Sequence, residues 1–113
     1  MTTIEEACTL AKRLGGVEYQ TVLSSARCFE FPQMIGTPNC DLNDRPPSLH
    51  VEIYADHGEH HGGVQAKMYG TASGRALSAN IYSIRRDELE AMLPTLLKVA
   101  AAVWVAFAEG MKS

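Results

Sequence analysis

Residues 56–63 read "DHGEHHGG" and bring His57, His60 and His61 together with two carboxylates, Asp56 and Glu59. Imidazole and carboxylate in one segment suit zinc, nickel or copper, and a catalytic zinc needs three protein ligands and one open position. The spacing here is His-x-x-His-His, not the His-Glu-x-x-His of a helical zinc site. Three glycines in the segment also raise the entropy lost on ordering it. The plainer reading is a hairpin tip whose polar residues face water. If a metal binds, His57, His60 and His61 are its ligands and zinc or nickel its identity; otherwise no cofactor is expected. His50 lies roughly 20 Å back along a strand, too far to join the tip.

The residues on either side of that segment have the period of strands. Leu49, Val51, Ile53 and Ala55 alternate with His50, Glu52 and Tyr54. Val64, Ala66 and Met68 alternate with Gln65, Lys67 and Tyr69, and Leu77, Ala79 and Ile81 with Ser78, Asn80 and Tyr82. Three strands with one apolar and one polar face make an antiparallel meander half covered by helix. Residues 56–63 are then the first hairpin tip and 70–75 the second. Symmetric pairing about the first tip sets Tyr54 opposite Gln65, Glu52 opposite Lys67 and His50 opposite Tyr69. Tyr82, Asn80 and Ser78 continue those rows. Tyrosines on such a platform offer flat apolar area with a polar end, which binding surfaces favour. On an ordinary wet face the same tyrosines serve β-propensity, and Glu52–Lys67 is a cross-strand charge pair. The ligand- or partner-binding candidates are Glu52, Tyr54, Lys67, Tyr69, Asn80, Tyr82 and Arg85.

The remaining elements frame this sheet. Thr3 and Glu6 have the spacing of a capping box, and Ile4, Cys8, Ala11 and Leu14 form one apolar face of a short helix that Gly15 and Gly16 end. Cys8 on that stripe is a packing residue. Alternation over 17–23 and 28–31 predicts two more strands. The stretch 32–48 holds four of the five prolines and reads as a long connection, the kind that is commonly functional. Asp87 with Glu90 predicts a helix start, and Leu89, Leu93, Leu96, Ala100, Val103, Trp104, Phe107 and Met111 its core stripe. Pro94 inside it predicts a kink. Val99, Ala102, Val105 and Ala106 make the other side apolar too, so a second subunit is expected there, most simply in a dimer.

The expected fold is a single α+β domain over 1–113: an N-terminal helix, about five antiparallel strands as a meander, and a long C-terminal helix packed on one sheet face. A net charge of −3 disfavours nucleic acid as a partner. Cys8, Cys28 and Cys40 form no CxxC pair and suit a reducing cytoplasm. The acidic N-terminus is not an export signal, and the longest unbroken apolar run, 99–108, is short for a bilayer, so no membrane is expected. No GxSxG, P-loop or GxGxxG occurs. The 39–45 segment starts like a calcium loop but puts Arg45 at a ligand position. Arg85 and Arg86, with Arg75, could clamp a phosphate or carboxylate, although such arginines more often pair with neighbouring acids. The chain therefore reads as a non-catalytic binding protein for a protein partner or small ligand. Small acidic inhibitors of phages and mobile elements have this size and charge. The alternatives are a metal-dependent protein built on the histidine tip and a structural subunit of an oligomer.

Overall fold

Thr3 begins the first helix, α1 (Ile4–Arg13), in the computed structural model, which describes residues 2–21, 25–32, 47–72 and 74–110. The Thr3 hydroxyl accepts from the Glu6 amide at 3.1 Å, and the Glu6 carboxylate accepts from the Thr3 amide at 3.1 Å. Two donors that a helix start leaves free are thereby satisfied. The chain leaves α1 through Gly15, whose φ of 102° is left-handed. Gly16 is needed for room: a Cβ there would stand 2.8 Å from the Phe31 ring.

Five strands follow: β1 (Val17–Tyr19), β2 (Ala26–Phe31), β3 (Ser48–Tyr54), β4 (Val64–Ala72) and β5 (Arg75–Ile84). They form one antiparallel sheet in chain order, and the last helix, α2 (Leu89–Gly110), closes the domain. The period-two alternation sends Phe29, Phe31, Leu49, Val51, Ile53, Val64, Ala66 and Met68 to one side, where they are buried. Both helices cover that side, α1 over β1 to β3 and α2 over β3 to β5. The stripe Leu89, Leu93, Leu96, Ala100 and Trp104 recurs every three or four residues and seats α2 on the sheet. Trp104 rests on bare backbone: a Cβ on Gly70 would lie 2.8 Å from its indole ring.

Several expectations change in detail. Pairing across the first hairpin is Ile53↔Val64, Glu52↔Gln65 and His50↔Lys67, two residues off the symmetric guess. The turn is centred on Gly58 and Glu59, because His57 and His60 pair through their backbones and Gly58 has a φ of 62°. That is where a two-residue II′ hairpin wants glycine. β4 continues to Ala72, so the second turn is tighter than 70–75. A register shift between Ala66 and Lys67 pairs Ala66 with Tyr82 and Lys67 with Asn80, leaving Ile81 as the extra residue. The helix cap is not at Asp87: a 3₁₀ turn, Arg86–Glu88, precedes α2, and the Glu88 carboxylate accepts the Arg85 amide at 2.9 Å. α2 runs through Pro94 as one element. The carbonyl that Pro94 leaves without an amide partner is that of Glu90, an exposed residue of the first α-turn, so water can satisfy it.

Residues 33–46 lie outside the described residues, and with them Cys40, the calcium-like segment and most of the proline-rich stretch. Cys8 and Cys28 are free and buried. By length and composition α2 with its preceding turn would suffice to cross a membrane, an 18-residue stretch within Arg86–Phe107 having a mean hydropathy of 1.6, a property that the core helix of a soluble protein shares. Val99, Ala102, Val105 and Ala106 are exposed on α2.

Candidate functional site

The sheet face turned away from the helices carries the other half of each alternation. Cys28 stands opposite Glu52 and Glu30 opposite His50, while Tyr19 stands opposite Cys28. Lys67 is opposite His50 on one side and Asn80 on the other, and Tyr69 is opposite Ser78. Among the described residues no helix covers this face, and alternation alone would leave it wet. Yet Glu52 is 5% exposed and Cys28 1%.

Hydrogen bonds explain how a carboxylate is kept there. The Tyr54 hydroxyl donates to Glu52 Oε1 at 2.9 Å, and Lys67 Nζ lies 3.1 Å from the same oxygen. A buried charge is tolerated when paired and hydrogen-bonded in this way. Beside it, His50 Nδ1 meets the Tyr19 hydroxyl at 3.0 Å and His50 Nε2 meets the Ser48 hydroxyl at 2.8 Å. The His50 ring is edge-on to Tyr19 at 5.5 Å and to Tyr69 at 6.2 Å. Tyr19, His50, Glu52, Lys67, Tyr69 and Ser78 line a hollow of about 260 Å³.

Burial governs the protonation of the surrounding groups. It pushes the Tyr19 phenol up to about 12, with the negative charge of neighbouring acids adding to it. It raises the Cys28 thiol too, helped by Glu52, and it raises Tyr54 together with the hydrogen bond that Tyr54 gives Glu52. The Glu52–Lys67 pair is therefore flanked by the neutral phenols of Tyr19 and Tyr54 and the protonated thiol of Cys28. A protonated thiol is a poor nucleophile. Ser48 is buried, so its contact braces the His50 ring. The arrangement is suited to binding.

Tyrosine absorbance makes this testable. The raised Tyr19 pKa means that the neutral phenol stabilises the fold fully below its ordinary value of 10 and that this contribution is lost as pH rises toward 12. In an absorbance titration of the native protein at alkaline pH, the last phenol should ionise near 12 and be missing in Tyr19→Phe. A wild-type curve that is complete by about pH 11 would contradict the described setting of the Tyr19 hydroxyl against His50.

The other candidates are placed as follows. Asn80 is on the open face, one strand beyond Lys67. Tyr82, past the register shift, is 56% exposed and does not line the hollow. Arg85 is at the end of the sheet, exposed and near Asp87 and Glu88 at 3.4 and 3.5 Å. Arg75 is a strand's length away at the other end of β5, so the three arginines do not converge. At the histidine tip, the His57 and His60 amides each donate to the other's carbonyl, at 2.9 and 3.0 Å. His61 Nδ1 is 3.8 Å from Asp56 Oδ1. Asp56 also accepts from the Gly62 amide at 3.0 Å and pairs with Arg86 at 2.9 Å, which together hold its carboxyl below the usual range. Among the described residues no three His, Cys, Asp or Glu side chains gather as one metal would require.

Sequence reasoning missed Tyr19 as part of the hollow, Cys28 and Ser48 as buried residues beside it, and Arg86 as a buried residue. Tyr19 and Cys28 sit on strands whose neighbours are set by long-range pairing, and no local pattern announces it. Arg86 donates to the carbonyls of Tyr54 and Thr2 and pairs with Asp56, so it ties three segments together. A second hollow of about 410 Å³ lies against it, lined by Thr2, His61, Gly62, Gly63, Arg85 and Asp87. Comparison of the chain with family sequence models, curated proteins and solved structures finds no match. Any reading of function therefore rests on these geometries.

Proposed function

We propose that this chain is a non-catalytic binding protein and that the hollow on its open sheet face is the centre of the contact. The observation that carries this reading is the buried Glu52, ordered by Tyr54 and Lys67 on a face that no helix covers among the described residues. Polar groups fixed before a ligand arrives lose little freedom on binding, which is how affinity is gained at a shallow site. The tyrosine-rich rim is what interface cores favour. At about 260 Å³ the hollow is below the roughly 300–1,000 Å³ usual for small-molecule sites. A protein partner inserting one amphipathic side chain is thus the better-fitting occupant, with a small ligand of that size second. The proline-rich stretch 32–48, which precedes β3 in the chain, is the second part of the proposed contact. By size and charge the class we infer is a small acidic inhibitor or sequestering module, of the kind that phages and mobile elements carry. Free Cys8 and Cys28 thiols fit a reducing compartment such as the cytoplasm. A zinc or nickel site on His57, His60 and His61 draws less support, because among the described residues no three His, Cys, Asp or Glu side chains gather as one metal would require.

Quantitative affinity capture from the source cells tests the reading. A Tyr19→Ala/Tyr69→Ala bait should retain the specific partner at least about tenfold less well than wild type, the effect of losing central aromatic anchors. Its thermal melt would be run alongside to show that it is folded. Equal capture by the folded double variant would remove the open face as the site.

A further inference from the structure

β5 leaves one long edge of the sheet without a partner. It is the last strand in the order, ten residues long, and among the described residues nothing pairs with its outer side. Proteins blunt such edges with short strands, charges or prolines, since bare backbone invites another strand. The opposite edge has that protection. β1 is three residues long, and its Glu18 bonds Arg27 at 2.8 Å and Lys12 at 3.4 Å, which holds the carboxyl down to about 2. β5 is long, and residues 76–84 contain no charge and no proline, so the bulge at Ile81 is its one irregularity.

An apolar surface adjoins this edge. The Arg13–Glu90 pair at 3.5 Å marks the side of α2 that faces α1. At about 100° per residue, Met92, Val99, Val103 and Ala106 fall on the opposite side, beyond β5. Val99 is 39% exposed and Ala106 is exposed, while Met92 and Val103 are partly buried against the core.

We propose that a second copy of this chain covers both surfaces. β5 pairs antiparallel with the second copy's β5 about a two-fold axis, extending the sheet to ten strands, and the two α2 helices pack side by side at Val99 and Ala106. An antiparallel strand is complementary to itself, and two-fold dimers use one patch on both subunits. Self-pairing centred on Ala79 sets Arg75 opposite Ser83, so no like charges meet within the paired segment. An edge about 30 Å long and two layers thick, roughly 20 Å, covers some 600 Å² per copy, close to the ~800 Å² of a standard interface. A lipid surface fits less well, because Ser78, Asn80 and a row of unpaired backbone groups share this edge and find no partners in hydrocarbon. The inference stands apart from the proposed binding role. In the dimer the two hollows would lie on one continuous face, with the β3 strands about 24 Å apart across five strand spacings.

Native mass spectrometry and sedimentation of the full chain at up to about 100 µM test this. The expected species is twice the 12.3 kDa chain mass. Val99→Glu should weaken the dimer at least about tenfold, with Ala106→Glu as a second variant should the first fail to fold. Hydrogen exchange should show alternate β5 amides protected in the wild type and released in the variant. A wild type that stays at the monomer mass overturns the proposal. So does a dimer that survives both substitutions with fast-exchanging outer β5 amides, which places the interface elsewhere. Flotation of monomeric wild type with phosphatidylcholine–phosphatidylglycerol vesicles would also overturn it, assigning the α2 surface to a membrane.

Discussion

Trp104→Ala should lose about 3–5 kcal/mol of stability, the range for deleting a large aromatic from a close-packed core. Small domains have about 5–15 kcal/mol in all, so the variant should be largely unfolded only a little above room temperature. The reason is position as much as size. Trp104 is fully buried, packs at 5.5 Å against Phe107, and lies over Gly70, where β4 offers no side chain to move into the space. Neighbours on a glycine floor cannot collapse into the cavity, so its full volume persists. Trp104→Phe should cost less, about 1–2 kcal/mol, because it keeps a ring and removes an indole N–H that has no acceptor among the described residues. Urea denaturation followed by far-ultraviolet circular dichroism reads both, since the chain has no other tryptophan to report by fluorescence. A loss under about 1 kcal/mol for Trp104→Ala would mean that α2 is not seated on β4 as described.

Arg86→Ala should cost about 2–4 kcal/mol, although arginines are commonly interchangeable surface residues. Arg86 is 4% exposed, and its guanidinium serves the Tyr54 carbonyl, the Thr2 carbonyl and the Asp56 carboxylate. Removing it leaves those acceptors without their buried donor and unfastens the chain before α1 from the end of β3. Arg86→Lys should recover only part of the loss, because a single ammonium cannot reproduce the planar fork that reaches several acceptors. Equilibrium denaturation at neutral pH measures both variants. Hydrogen exchange should localise the damage to the start of α1 and the 56–63 tip. Wild-type stability in both variants would show that Arg86 is a spectator.

Some of the site was legible from residue order and some was not. The alternation of His50, Glu52 and Tyr54 with Leu49, Val51 and Ile53 places the former on the open face, and the structure agrees. The same pattern on β4 puts Lys67 and Tyr69 there. What faces what was misread by two residues, because the turn centre depends on a positive φ at Gly58 and not on the midpoint of the polar segment. Tyr19 and His50 are 31 residues apart and meet only because β1 pairs with β2 and β2 with β3. The burial of Glu52 follows from Tyr54 and Lys67 closing over it, which no window along the chain reveals.

The sequence by itself determined the element order, the two faces of β3 and β4 and the capped start of α1. These follow from backbone periodicity and short-range hydrogen bonding, both of which act within a few residues. Only the tertiary structure decided the strand register, the company around Glu52, the burial of Arg86 and the place of β5 at the edge of the described sheet. Each of those depends on segments distant in the chain coming into contact, and on a turn angle at Gly58 that glycine permits without dictating.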